Sequence, residues 1–540
     1  MSDLNLKDFS LLYPSAAAQQ AHLSGRGRPN IDDFTLEELG LTEVFPLKNS
    51  NLSEFITADP AVIRYREAVF GDLLAHEEIS KTIGHLLPVL YDIMELRRLD
   101  ADSGETSDYL SSMTEIELYI SSIDILYRGI CQAKSDYQSE PFRQLSAHIA
   151  KLVESDYYAE LNRKLEELTS RVREIRSVTV GVNLDAQLRP KDAGVLAINA
   201  EPFRSGDTLQ KILHLNMKND EYTCIAELVP FNRKQTENQK TALALAFNSA
   251  INDVYRQSLR SWKKIVQTYV LENTDFLLNL LPEFEFLLKG TNLMRALQIK
   301  GNGLTVPEIA PAEQHAFRAT ALYNPVVALK VDDPIVTNDL IFDEKAAIYV
   351  LTGPNRGGKS VITCAMGLAV VMAQLGLLVP AESAVISPAD AIFTHFPTGA
   401  DDTIDKGRLG EECARLGEIF SGITDKSLVL LDESLSSTGS YEASYIAAEV
   451  LAGLSHAGCR CIFSTHLHEL AGEIDEINAR GGAPIDTLVA GIEEEGKRSF
   501  LIYRRKPDGK SYARDIAAHY GLTYDSIIQK INGNTNSKEA

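Results

Sequence analysis

Apolar residues recur at helical spacing through the first half of the chain. Ile83, Leu86, Leu87, Leu90, Ile93 and Met94 share one face, with Pro88 predicting a kink. After the polar loop Asp102 to Ser107, the stripe Met113, Ile116, Ile120, Ile123 and Leu126 predicts a second helix. The longest stripe, Leu161, Leu165, Leu168, Val172 and Ile175, carries Arg, Lys and Glu on its other faces and reads as bundle core. The period then falls to two. Val178, Val180, Val182 and Leu184 alternate, Pro190 follows, and Val195 to Ile198 is apolar, which predicts two strands of a β insertion ending near Pro230. Helix resumes at Gln235, with Leu243, Phe247, Ile251, Val254, Trp262 and Ile265 on one face. A long helix, a β excursion and a returning helix together predict an antiparallel lever with a β tip.

Beyond Gly301-Asn302-Gly303 strands alternate with helices, the pattern of an α/β domain. Ala347 to Leu351 reads as a buried strand and Val361 to Leu377 as an Ala-rich helix. Between them stands Gly353-Pro354-Asn355-Arg356-Gly357-Gly358-Lys359-Ser360, which fits the phosphate-binding loop G-x-x-x-x-G-K-[ST]. Its glycines let backbone N–H groups converge on anionic oxygens, and the helix that follows adds its N-terminal dipole. Lys359 would reach the β- and γ-phosphates, and the Ser360 hydroxyl would ligate Mg²⁺. Ser427 to Glu433 reads as a second strand ending in two carboxylates. Asp432 would hold the Mg²⁺, directly or through water, and Glu433 would orient or deprotonate the attacking water. A third strand, Cys459 to Phe463, leads into Ser464-Thr465-His466. Ligands of doubly wound sheets collect at strand ends, so His466 is assigned a γ-phosphate contact; Gln374, before Leu375-Gly376, is a secondary candidate for sensing the metal or water.

Composition narrows the class. The chain has 540 residues, too many for one hydrophobic core, and is 44% hydrophobic and 24% charged, as soluble globular proteins are. No apolar run suits a bilayer, and Met1-Ser2-Asp3-Leu4 lacks a basic leader, so a cytoplasmic protein is expected. Its six cysteines are scattered and read as thiols in a reducing compartment. The net charge of −22 restricts any nucleic-acid contact to a local surface. Arg256, Arg260, Lys263 and Lys264 form one basic patch, read first as a solvated face. Residues 1 to about 50, with the breaker cluster Gly25 to Pro29, are expected to be irregular.

The motifs resemble those of the MutS family of ATPases, relatives of the ABC class. The resemblance runs through Asn324-Pro325, Thr337-Asn338-Asp339, the phosphate loop with Val361, Val379-Pro380-Ala381, Ile392-Phe393-Thr394 and Asp401-Asp402. It continues with Leu430 to Glu433, Ser464-Thr465-His466, Lys510-Ser511-Tyr512 and Gly521-Leu522. Thr57 to Pro60 and Arg64 to Arg66 resemble the family's core. The architecture implied is multidomain: an N-terminal segment 1–50, a helical core and lever 51–305 with a clamp-like β insertion at about 177–231, and an ABC-type ATPase domain 306–540. The resemblance also implies a homodimer, ATP at the dimer interface, coupling to a clamp on double-stranded DNA, and adenine near Ile335 and Asn338 and near Tyr503 or Arg504. Two departures stand out. Only about fifty residues precede the lever, which leaves no room for the mismatch-reading and connector domains. The family's Ser-Thr-Phe signature appears as Gly407-Arg408-Leu409 before Glu412, so Arg408 is read either as a substitute for the missing hydroxyl in trans or as an ion-pair partner of Glu411, Glu412 or a nearby acid.

Overall fold

The computed structural model describes residues 9–103, 109–133, 136–173, 177–187, 190–199, 204–205, 223–224, 271–397, 407–435, 439–467, 469–492, 498–507 and 520–529. The chain divides into two units. One comprises Met1–Phe9 and His76–Phe284, the other Ser10–Ala75 and Glu285–Ala540.

The first unit is built on helices Glu77–Ser103, Tyr109–Leu126, Glu140–Val153, Asp156–Arg173 and Leu271–Asn279. The predicted stripes face inward: Ile83, Leu86, Leu90, Ile93, Ile116, Ile120, Ile123 and Leu126 are all buried. The first helix runs through Pro88 without interruption. Buried neighbours on both sides of the proline keep the segment helical despite the missing N–H donor. Arg97 bridges Glu115 and Asp275, tying three of these helices together. The switch to period two is realised as strands β1 (Ser177–Leu184) and β2 (Pro190–Asn199), which pair antiparallel. Two short strands, β3 (Arg204–Ser205) and β4 (Thr223–Cys224), pair parallel. The helix expected from Gln235 and the basic patch on it lie outside the described residues.

In the second unit the segment expected to be irregular is instead folded. It forms short helices Ala16–Leu23, Asp33–Glu38 and Leu41–Val44 and a 3-10 turn at Leu52–Phe55. These are too short to show a period, and tertiary packing with local caps decides them. Ser15 and Asp32 cap the first two by accepting from Ala18 N and Thr35 N, while Leu11, Leu12, Leu36 and Leu41 are wholly buried. Arg66, on helix Pro60–Ala75, fixes the segment from inside. Its fully buried guanidinium donates to the carbonyls of Leu12 and Phe55 and lies over the Tyr13 ring.

Two sheets complete this unit. A four-stranded sheet has the order β5-β9-β6-β7, from β5 (Glu308–Ile309), β6 (Phe317–Leu322), β7 (Asn338–Phe342) and β9 (Ser383–Ile386). The larger sheet has the order β10-β11-β12-β8-β13-β14. It is made of β8 (Ile348–Thr352), β10 (Ile392–His395), β11 (Leu428–Asp432), β12 (Arg460–Ser464), β13 (Ile485–Ile492) and β14 (Arg498–Arg504). All its pairings are parallel except β13 with β14. Strands β8, β11 and β12 are buried along their whole length, which is why they read as unbroken apolar runs. Among the described residues no helix is long and apolar enough to cross a membrane.

Candidate nucleotide site

The loop Gly353–Gly358 joins β8 to the helix Lys359–Leu375, in the middle of the large sheet. Backbone freedom is needed at its first position. Gly353 has φ 141°, and a Cβ there would lie 2.7 Å from the Ala490 Cβ. Gly358 at φ 91° caps the helix, and Arg356 adopts φ 60° with its side chain in solvent. The resulting concavity faces the first turn of a 17-residue helix, where N–H groups lack intrahelical acceptors.

Lys359 lies inside this cradle and is buried. Its ammonium donates to the carbonyls of Gly353 (3.1 Å) and Pro354 (3.2 Å) and sits 3.9 Å from the Glu433 carboxylate. Burial lowers its pKa, Glu433 and Asp432 oppose that, and Arg498 lowers it further. Asp432 ends β11 in register with Ser464 at the end of β12. Its Oδ1 is buried without a hydrogen-bond partner. Ser360 is exposed at the start of the helix. These residues fit a divalent cation: an orphaned carboxylate oxygen and an accessible hydroxyl flank a bound cationic lysine. Among the described residues no group of three or more His, Cys, Asp or Glu is placed to hold a metal ion.

Glu433 takes φ 47°, its N–H donating to the Ser464 carbonyl at 2.8 Å. Beyond β12, Thr465 N–H donates to Leu351 O, and Leu467 N–H donates to the Thr465 hydroxyl, leaving His466 exposed at the same end of the sheet. Gly353 to Ser360, Asp432, Glu433 and the strand leading to His466 thus lie at the C-terminal ends of three adjacent strands, β11, β12 and β8.

Other expected positions serve differently. Gln374 is not in the site. It is fully buried near the far end of the loop helix, where its amide donates to Thr57 O and Ala389 O and accepts from Ala389 N. An amide in an apolar helix is needed there to satisfy backbone groups of two crossing segments. Asn324 caps helix Pro325–Lys330 and reaches Val361 O in the loop helix. The Asn338 amide bridges β14, donating to Phe500 O and accepting from Ile502 N. Ile335 lines a cavity of about 380 Å³ with Lys300, Tyr323, Val331, Thr337 and Glu382. Arg504 is engaged by Asp343 and Asp486, whereas Tyr503 is exposed. Arg408 lies in the first turn of helix Gly407–Gly422, and its side chain falls outside the described residues.

One pair escapes motif reading. The buried His395, last residue of β10, places Nδ1 2.8 Å from the Ser434 hydroxyl, and that hydroxyl donates to the His395 carbonyl at 3.2 Å. Burial, aided by Arg415, pulls the imidazole pKa down to about 4.

The fold and the loop define a phosphate-loop domain on a mostly parallel sheet. Residues 349–533 match the family model MutS domain V, and residues 58–300 match the model MutS2 N-terminal domain. Curated relatives include three proteins named DNA mismatch repair protein MutS. That of Chlorobium phaeobacteroides is 34% identical over 234 residues, covering 42% of this chain and 26% of the relative. That of Chloroflexus aurantiacus is 33% identical over 215 residues, 38% of this chain and 21% of the relative. That of Lactobacillus delbrueckii subsp. bulgaricus is 32% identical over 190 residues, 35% of this chain and 22% of the relative. The chain is therefore a relative of the MutS family, and it spans about a quarter of the length of the curated proteins it matches.

Proposed function

We propose that the chain is a Mg²⁺-dependent ATPase of the MutS type, acting as a homodimer that couples nucleotide state to a double-stranded DNA clamp. The observation that carries the ATPase reading is the buried, unpartnered Asp432 Oδ1 beside Lys359 and the glycine cradle. A cation bound there would neutralise charge developing on the β- and γ-phosphate oxygens. The backbone of Gly353 to Gly358, with Asn355, Arg356 and Val361, binds the phosphates. Lys359 exchanges its loop carbonyls for phosphate oxygens, Ser360 and Asp432 hold the metal, and Glu433 orients the water. His466 contacts the γ-phosphate. Ile335, Asn338 and Tyr503 border the base, Arg504 being held by two aspartates. Arg408 acts in trans in place of the missing hydroxyl.

The test is phosphate release by the full chain with and without Mg²⁺. Glu433→Gln should keep nucleotide affinity and slow turnover by at least about a hundredfold. Unchanged turnover in that variant removes Glu433 from the mechanism.

A second reading keeps the ATPase and replaces DNA by a protein partner. The net charge of −22 favours it. Duplex binding measured against salt, with and without ATP, separates the two. A clamp on phosphates should weaken linearly in log–log form as counterions are released. Absence of binding at low salt in both nucleotide states leaves the protein-partner reading.

A further inference from the structure

We propose that His395 is a positioning residue for Glu433, acting through the Ser434 hydroxyl. The inference rests on the ATPase reading above and concerns how the carboxylate is aimed.

The turn that carries Glu433 is strained. Glu433 has φ 47° and Leu435 has φ 65°, two non-glycine residues in the left-handed region with Ser434 between them. Such strain persists only where the surroundings over-determine the backbone. Three anchors do so here. The Glu433 N–H is fixed to Ser464 O, and the Leu435 side chain is buried in the core beneath the sheet. The middle anchor is the Ser434 hydroxyl, held by the Nδ1 and the carbonyl of the same residue, His395.

The chemistry of this anchor is specific. The hydroxyl has one proton, and it donates to the His395 carbonyl. Nδ1 lies 2.8 Å from Ser434 Oγ, donor or acceptor according to the tautomer. The Glu412 backbone is a further hydrogen-bond partner of the ring. Together these contacts hold one orientation of the imidazole. His395 also pairs in register with Leu431 of β11, two residues before the proposed base. The Glu433 carboxylate is 35% exposed and 3.9 Å from Lys359, so ion pairing alone leaves it free to swing. A general base has to lie within hydrogen-bond reach of the proton it takes, and a displacement of 1 Å costs about a hundredfold in rate.

The experiment measures kcat, KM for ATP, nucleotide affinity and melting temperature of the full chain in His395→Leu, His395→Asn and Ser434→Ala. Each is made in the parent and in Glu433→Gln. His395→Leu and Ser434→Ala should lower kcat about ten- to hundredfold and leave KM and affinity within about twofold. His395→Asn, whose amide N–H can stand near Nδ1, should recover most of the rate. In Glu433→Gln none of the three should lower turnover further, because they act through the lost carboxylate. If Glu433→Gln turns over like the parent, the reading of Glu433 fails and takes this proposal with it. If Glu433→Gln is slow but His395→Leu and Ser434→Ala match the parent, the proposal alone is overturned. Equal rate losses with and without the carboxylate also overturn it. Should His395→Leu not fold, Ser434→Ala, which removes one buried oxygen, decides by the same criteria.

Discussion

Lys359 rests on the carbonyls of its own loop, and its binding behaviour follows from that position. Nucleotide phosphates would replace weak neutral acceptors with charged ones, so Lys359→Ala should reduce nucleotide affinity at least about tenfold, read by calorimetry. The free protein holds the ammonium at a lowered pKa, chiefly through burial. Phosphates raise it, so the bound form holds the proton more tightly. Affinity should therefore fall as pH rises through the free lysine's titration range, a dependence absent in Lys359→Ala. At this scale the sequence was partly transparent. Lys359, Ser360, Asp432 and Glu433 were legible because loop and strand-end motifs are local. His395 and Ser434 are 39 residues apart, and a single histidine at a strand end carries no signal of its partner. Gln374 misled because its exposed-looking chemistry is directed at backbone groups from two distant segments.

Helices with a sustained period, such as Glu77–Ser103 and Lys359–Leu375, were readable, and so were the wholly buried strands β8, β11 and β12. The short helices before residue 50 were not, because four to eight residues hold too little of a pattern. The chain flanking them is held by Arg66, whose helix lies against Gly376, the left-handed cap that ends the loop helix. A Cβ on Gly376 would lie 2.4 Å from Arg66 Cβ, with φ at 80°. Gly376→Ala should destabilise this unit by about 2 kcal/mol or more, seen as a lower urea midpoint. The same helix as Arg66 carries Glu67, whose pKa burial raises from 4.5 to about 7 against the pull of Arg64. Between those values the folded state keeps a proton that the unfolded chain has released. Stability should accordingly fall as pH rises from about 4.5 to 7, and Glu67→Gln should flatten that slope in chemical denaturation curves.

Over the whole molecule, the proposed dimer makes Arg408 testable in a way no single subunit allows. A mixed dimer with Lys359→Ala on one subunit and Arg408→Ala on the other leaves one intact phosphate loop. Turnover should persist in that arrangement, where the altered arginine faces the damaged loop, and collapse when both changes sit on one subunit, where it faces the intact loop; full turnover in both arrangements assigns Arg408 to an ordinary surface ion pair. The two-unit division has a consequence of another kind, for the order in which the protein is made. The second unit is discontinuous, with His76–Phe284 intervening between its two parts. Thr57 and the Gln374 amide it meets are separated by 317 residues. At a synthesis rate of ~5–20 residues per second, roughly 15–60 s pass between the emergence of the two. Throughout that interval Leu11, Leu12 and Leu36 have left the ribosome with the loop helix still unmade. The earlier-made segment thus waits for its partner, and its apolar residues stay without the loop helix until residue 376 has been added.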